Sequence, residues 1–338
     1  MRAKLRRVNE QVIVITGASS GIGLVTAQMA AKMGARVVLS SRDEVDLEQA
    51  VERIRADGGA ATYVAGDVAD PEAMKLVAAT AIREFGTIDT WINNAGVSIY
   101  GRIEEVEIGD ARRLFETNYW GVVHGTLAAL PHLKGHGGAL INVGSVLSDT
   151  GYPLQGHYAA SKHAVKGFTD SLRIELESEG APISVTLIQP AAIDTPYPEH
   201  AKTYLGVEPT HQPPVYAPEV VARAILHSAE HPERNVLVGG GAKVFNTVER
   251  FAPRLGDRFK EATSIEAQRS DNPPRGGDTL FGPRPGDGRA RGRYEGHVMQ
   301  TSAYTGARLH RGQTLLGLAI AGAAVALLDR AGVFGDGD

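Results

Sequence analysis

Residues 11–23 read Q-V-I-V-I-T-G-A-S-S-G-I-G. The first six, Gln11–Thr16, are apolar and mostly β-branched, the composition of a strand buried on both faces. Glycines follow at 17, 21 and 23, and helix-forming sequence then runs to Met33. Strand, glycine turn and helix in that order form the context in which a glycine motif binds a dinucleotide. The small residues let backbone approach a pyrophosphate, which then sits at the helix amino end. The spacing is T-G-x-x-x-G-x-G rather than G-x-G-x-x-G, and a glycine turn after a strand also has a purely structural reading.

The same alternation continues. Ala35–Ser41 is a second strand, 43–57 a helix, Ala60–Ala65 a third strand ending in Gly66-Asp67-Val68, and Pro71–Phe85 a helix with proline in its first turn. Ile88–Ile92 is a fourth strand running into N-N-A-G at 93–96. A helical stretch covers roughly 108–130 and contains T-N-Y-W-G at 117–121. Strands at 139–144, 183–189 and 235–238 follow, with helices at 157–178 and 218–231 between them. The pattern predicts an α/β chain: a doubly wound parallel sheet of about seven strands with helices on both faces and ligands at the strands' carboxyl ends.

The chemistry concentrates in Ser145–Lys162, S-V-L-S-D-T-G-Y-P-L-Q-G-H-Y-A-A-S-K. Tyr158 and Lys162 are four apart and share one helix face. An ammonium beside a phenol favours the phenolate, so Lys162 is expected to lower the Tyr158 pKa toward a value useful for acid/base work. Ser145, at the end of the 139–144 strand, can hold a carbonyl oxygen beside that tyrosine. Read alone, the pair is also a surface lysine one turn from a half-buried tyrosine. Asn118 lies inside an apolar helical run, where it is a satisfied core amide or part of the site. His157 is either a pocket residue or an ordinary residue at the helix start.

Several classes are excluded by composition. A net charge of -4 carries no basic excess for nucleic acid, and the chain holds no cysteine for thiolate metal sites or disulfides. Its eleven histidines show no metal spacing, so no metal is expected. The first residues are basic but lack the apolar run of a signal peptide, which makes a cytoplasmic protein the default.

At the end of the second strand, where NAD folds carry a carboxylate for the ribose 2′-hydroxyl, the chain reads Ser41-Arg42. An arginine there suits a 2′-phosphate, which favours NADP(H) over NAD(H). In the alternative, Arg42 is a solvated charge and Asp43 is the acidic residue.

Taken together, T-G-A-S-S-G-I-G (16–23), Asp67, N-N-A-G (93–96), Asn118, Ser145 and Y-A-A-S-K (158–162) resemble the short-chain dehydrogenases/reductases, over roughly residues 10–240. The resemblance implies a Rossmann-type fold and a catalytic tetrad of Asn118, Ser145, Tyr158 and Lys162. Tyr158 would be the general acid/base and Ser145 would orient the substrate oxygen. Lys162 would bind the nicotinamide ribose, and Asn118 would hold a water leading to solvent. Around the cofactor would stand Gly17, Ser19, Ser20, Gly21, Ile22, Gly23, Ser41 and Arg42, with Asp67 and Val68 flanking the adenine. Asn94, Ala95 and Gly96 would line the cleft, and Pro190, Ile193 and Thr195 would lie by the nicotinamide. The family's usual Pro-Gly is here Pro190-Ala191, which puts the local backbone path in question. The resemblance also implies a homodimer or homotetramer paired through the helices at 108–130 and 157–178.

Leu147, Tyr152, Leu154 and the proline-rich 196–216 stretch are candidates for the substrate wall, with the last a lid, and they suggest a mostly apolar small molecule. The catalytic domain is expected over 8–250, with Phe245–Ala262 as a helix. An irregular Gly/Pro/Arg-rich extension then covers 251–312, its 271–296 stretch a linker or, in the alternative, a binding motif, and an apolar helix covers 313–330. Its uncharged core, Thr314–Leu328, is short for a hydrocarbon layer of ~30 Å at about 1.5 Å per residue. It reads as a membrane anchor on the inner face, as a helix packed in a groove, or as a spare core helix. The expected activity is that of an oxidoreductase interconverting a carbonyl and a secondary alcohol. The rivals are a catalytically silent NADP-binding regulator or scaffold, and isomerase or dehydratase chemistry on the same residues.

Overall fold

The structure is a computed structural model, and it describes residues 3–310 apart from 275 and 285. Seven strands form one parallel sheet: β1 (Val12–Thr16), β2 (Arg36–Ser41), β3 (Ala60–Ala65), β4 (Thr90–Asn93), β5 (Gly138–Val143), β6 (Ile183–Pro190) and β7 (Asn235–Val238). Their order across the sheet is β7-β6-β5-β4-β1-β2-β3, with every neighbouring pair parallel. The chain reverses its direction of growth between β1 and β4, so a crevice opens there, beyond the strands' carboxyl ends.

Alternating side chains of β1 feed two apolar layers. Ile13 and Ile15 join Leu39, Leu47, Val221 and Ile225 on one face, against α1 (Gly21–Lys32), α2 (Glu44–Ala56) and α7 (Pro218–Glu230). Val12 and Val14 join Val38, Val77, Leu133 and Leu172 on the other, against α3 (Pro71–Phe85), α5 (Gly121–His136) and α6 (Gly156–Ser178). Helix ends follow local chemistry. Asp43 caps α2 by accepting from Asp46 N at 3.1 Å, and Gly86 ends α3 at φ +82°.

The helical stretch expected over 108–130 is not continuous. It comprises α4 (Ile108–Phe115), one wide π turn over Glu116–Trp120, and α5, which runs on to His136. Such a turn is a common device at functional sites, and this one carries Asn118 inward, fully buried.

The chain past 240 also differs from expectation. In place of one helix over 245–262 there are two, α8 (Gly240–Phe251) and α9 (Pro253–Thr263). Pro253 opens the second and drives Ala252 out of the helical region, to φ -142°, ψ 61°. The extension beyond them lacks regular structure over most of its length, yet it is not a free linker. Its Val298–Met299 pairs with Val215–Tyr216, which pairs in turn with Ala192–Ile193, just past β6. Helix α10 (Ala303–Leu309) is held through Arg308, which donates to both Glu233 oxygens at 3.0 and 2.8 Å. The apolar run 314–328 lies outside the described residues. Among the described residues no helix is long and apolar enough to cross a membrane.

One polar chain runs through the otherwise apolar layer behind β4 and β5. Trp91 Nε1 donates to Asn93 Oδ1 (2.8 Å), Asn93 Nδ2 to Asn142 Oδ1 (2.9 Å), and Asn142 Nδ2 to Thr169 Oγ1 on α6 (2.9 Å). Asn142→Ala leaves buried donors and acceptors without partners, so it should cost about 1–3 kcal/mol. The urea midpoint measures this, and an unchanged midpoint would show that the chain does not tie α6 to the sheet.

Candidate active site and cofactor cleft

Three pieces of backbone meet where β1 ends. Gly17 has φ +64°, and a Cβ on it would lie 2.7 Å from Ala95 Cα; a Cβ on Gly23 would collide with the Gly17 carbonyl. Asn94 fastens the junction, its Nδ2 donating to the carbonyls of Thr16 and Gly17, both at 3.0 Å. Thr16 Oγ1 in turn accepts from Asn94 N (3.0 Å) and Ala95 N (3.2 Å). Ser19, Ser20, Gly21 and Ile22, at the amino end of α1, line a cavity, and Gly21 N already donates to the Arg289 carbonyl at 2.9 Å. This cradle fits a dinucleotide's phosphates.

The same cavity, about 980 Å³, runs on to the candidate catalytic side chains, at the upper end of the roughly 300–1,000 Å³ usual for small-molecule sites. Every site residue expected from the sequence lines it except Gly23, Asn118 and Leu154. Gly23 acts from behind, by permitting close packing. Asn118 is likewise behind the wall: its Oδ1 accepts from Val97 N at 2.8 Å, and its Nδ2 donates to Val97 O at 3.0 Å and Ser161 Oγ at 3.1 Å. His157 does not line the cavity.

Ser145 is fixed by a reciprocal cap. Its Oγ accepts from Leu147 N and its own N–H donates to Ser148 Oγ, each at 3.1 Å. The hydroxyl proton remains to be given, and Tyr158 is its hydrogen-bond neighbour. Lys162 lies one turn along α6 with Nζ 5.7 Å from the Tyr158 ring centre, donating to Val143 O at 2.9 Å. Burial lowers the Lys162 pKa to about 8.

The electrostatics correct one expectation. Lysine was expected to pull the tyrosine pKa down, but its ammonium sits over the ring and is spent on a carbonyl. Burial dominates, and the Tyr158 phenol is held above its ordinary value, opposed by hydrogen bonds from Tyr197 and Ser145. The free protein therefore keeps Tyr158 protonated at neutral pH.

Tyr197 is a cavity residue that sequence reasoning did not single out. It opens a short helix, Tyr197–His200, its ring centre is 5.9 Å from that of Tyr158, and its hydroxyl donates to Val97 O at 3.0 Å. It belongs to the proline-rich stretch read as a lid, but nothing distinguished it there from Tyr204 or Tyr216. Leu147 and Tyr152 border the substrate end with Leu255 and Phe259 of α9 and with His211, whose pKa burial lowers to about 4. Ala191 raises no difficulty. Among the described residues the one non-glycine with positive φ is Leu154 (64°), ahead of α6, and Ala191 N donates to Val238 O at 3.0 Å.

A parallel sheet with a nucleotide cradle at its switch point, opening onto a buried Ser-Tyr-Lys group, defines a nucleotide-dependent oxidoreductase of the Rossmann class. Comparison with known proteins agrees. The model of the short chain dehydrogenase family matches residues 11–204. The Bacillus subtilis protein called uncharacterized oxidoreductase YxnA is 48% identical over 285 residues, 83% of this chain and 80% of its own length. Among solved structures, a short-chain dehydrogenase/reductase from Burkholderia phymatum in complex with NAD superposes with a TM-score of 0.66 at 27% identity, covering 72% of this chain and 94% of that one. An alcohol dehydrogenase from Thermococcus sibiricus, complexed with 5-hydroxy-NADP, shares the fold at a TM-score of 0.60 and 24% identity, over 68% of this chain and 95% of that one. The chain belongs to the short-chain dehydrogenase/reductase family, and it is an oxidoreductase.

The depressed Lys162 pKa has a direct readout. Followed by the ε-carbon chemical shift in the cofactor-free protein, one lysine should lose its charge as pH rises through about 8, and that signal should vanish in Lys162→Met. Titration of every lysine near the ordinary 10.5 would show that burial does not set its state.

Proposed function

We propose that this chain interconverts a carbonyl and a secondary alcohol on a mostly apolar small molecule, using NADP(H). The observation that carries the proposal is the single cavity: Ser145, Tyr158 and Lys162 stand on the wall of the same space that reaches the glycine turn.

The bound nicotinamide supplies or accepts the hydride. The protein's part is binding, orientation and the proton. The Ser145 hydroxyl donates to the substrate oxygen and holds it beside Tyr158. Tyr158, kept protonated by burial, gives its phenolic proton to that oxygen as the carbonyl is reduced. Lys162, charged below about pH 8 and with Nζ 5.7 Å from the ring centre, then stabilises the phenolate left behind. Oxidation needs that phenolate first, so the resting protonation state favours reduction at neutral pH. Asn118 positions the Val97 backbone and the Ser161 end of the Y-A-A-S-K turn. The presence of all four groups disfavours the silent-regulator reading, which has no use for them.

Arg42 supports the cofactor choice, since it lines the adenosine end of the cavity. The rival is Asp43. One of its oxygens caps α2, and the other, Oδ2, is buried without a hydrogen-bond partner among the described residues, open to a ribose hydroxyl. The substrate wall of Leu147, Tyr152, Leu255 and Phe259 supports an apolar ligand. Trp120, Leu127 and Ile174, exposed on the π turn, α5 and α6, support a homo-oligomer paired through that face.

Tyr158→Phe should lower turnover of an apolar ketone by about 10²–10⁴-fold while NADPH still binds; full residual turnover would overturn the assignment. In fluorescence titrations NADPH should bind more tightly than NADH. Arg42→Ala should remove that preference, a change of about tenfold or more for a lost charge-assisted contact. Tighter binding of NADH, abolished in Asp43→Asn, would give the role to Asp43 instead.

A further inference from the structure

The C-terminal extension lies across the adenosine end of the cleft. Leu280, almost wholly buried, packs in one cluster with Val97, Leu114, Leu147 and Tyr158. Its carbonyl accepts from Arg42 Nη1 at 3.3 Å and from Arg113 Nε at 3.0 Å, and the Thr279 carbonyl accepts from Arg42 Nη2. A Cβ on Gly288 would fall 2.8 Å from Asp46 Cγ, which places the extension hard against α2. The carbonyl of Arg289 accepts from Gly21 N at 2.9 Å, at the first residue of α1. The extension thus bridges from α2 to the glycine turn, and Thr279, Arg284 and Asp287 line the cavity beside Arg42.

The charges at this end are nearly all matched. Asp67 takes Arg113, and Asp287 takes His200 at 2.9 Å and Arg289 at 2.7 Å. Asp43 caps α2, and Asp46 accepts from the backbone of Asp287 and Gly286. Arg42 and Arg284 donate to no carboxylate within hydrogen-bond distance among the described residues. Arg42, whose charge Asp67 favours, is aimed by the two extension carbonyls and keeps further N–H groups. Arg284 Nε lies 3.9 Å from the engaged Asp287, and its Nη1 is buried without a hydrogen-bond partner among the described residues. A buried guanidinium nitrogen facing a cavity calls for an anionic acceptor.

We infer that the extension completes the cofactor site and that Arg284 pairs with Arg42 on the 2′-phosphate of NADP(H). The inference rests on the cofactor reading above and goes beyond it, because it assigns a binding role to a segment outside the sheet and its helices. The carbonyls of Thr279 and Leu280 hold the Arg42 fork in place, and Arg284, which lines the same cavity, supplies a second guanidinium to the phosphate.

The test is titration of the full chain with NADPH and with NADH, wild type against Arg284→Ala and Arg284→Lys. Arg284→Ala should weaken NADPH by about tenfold or more and leave NADH unchanged, with Arg284→Lys recovering part of the loss. The unchanged NADH affinity shows at the same time that the variant is folded. NADPH affinity that stays the same or tightens in Arg284→Ala would overturn the role of Arg284, as would an equal loss for both cofactors. Wild-type protein that binds neither cofactor would sink the nicotinamide reading itself, a result separate from any failure of Arg284.

Discussion

Three backbone segments meet at the carboxyl end of β1 with no room for a side chain between them. The turn at Gly17, the first turn of α1 at Gly23 and the loop at Ala95 are pressed together, and Asn94 and Thr16 lock them with four hydrogen bonds. This close approach aims the amino end of α1 at the cavity. It also fixes the Asn94–Val97 loop, which Asn118 grips from the other side. Through Asn118 and Ser161 the contact reaches α6, so the nucleotide cradle and Tyr158 belong to one rigid frame.

Most of that frame was readable in the sequence because it rests on short-range rules. Strand composition and the glycine spacing are local, and so is the one-turn interval between Tyr158 and Lys162. The parts that were not readable are long-range. The lysine was expected to lower the tyrosine pKa, yet whether burial or a neighbouring charge wins depends on where Nζ points, and Val143 decides that. The π turn at Asn118 adds no residue type that spacing alone reveals. In the extension, glycine, proline and arginine gave the composition of a linker. The information that it is anchored lies in one leucine, Leu280, whose burial depends on partners more than a hundred residues away.

The two ends of the cavity differ in kind. Its cofactor end is built from backbone amides, glycines and matched charges, and it sits on the sheet. Its substrate end is built from Tyr152, Tyr197 and the ridge of α9, elements that follow the last strands or connect them.

The short helix Tyr197–His200 has a consequence for where the chain can be cut. At one end Tyr197 lies against Tyr158; at the other, Glu199 is buried and accepts from Arg289 at 2.7 Å, while His200 pairs with the Asp287 carboxylate. Both guanidinium groups within reach of Glu199, those of Arg289 and Arg293, come from the extension. Trimming the protein after β7, to the sheet and its helices, would remove both of those cations from a carboxylate that is buried in the full chain. The segment with the composition of a dispensable tail thus supplies the charge partners of a helix beside the cleft.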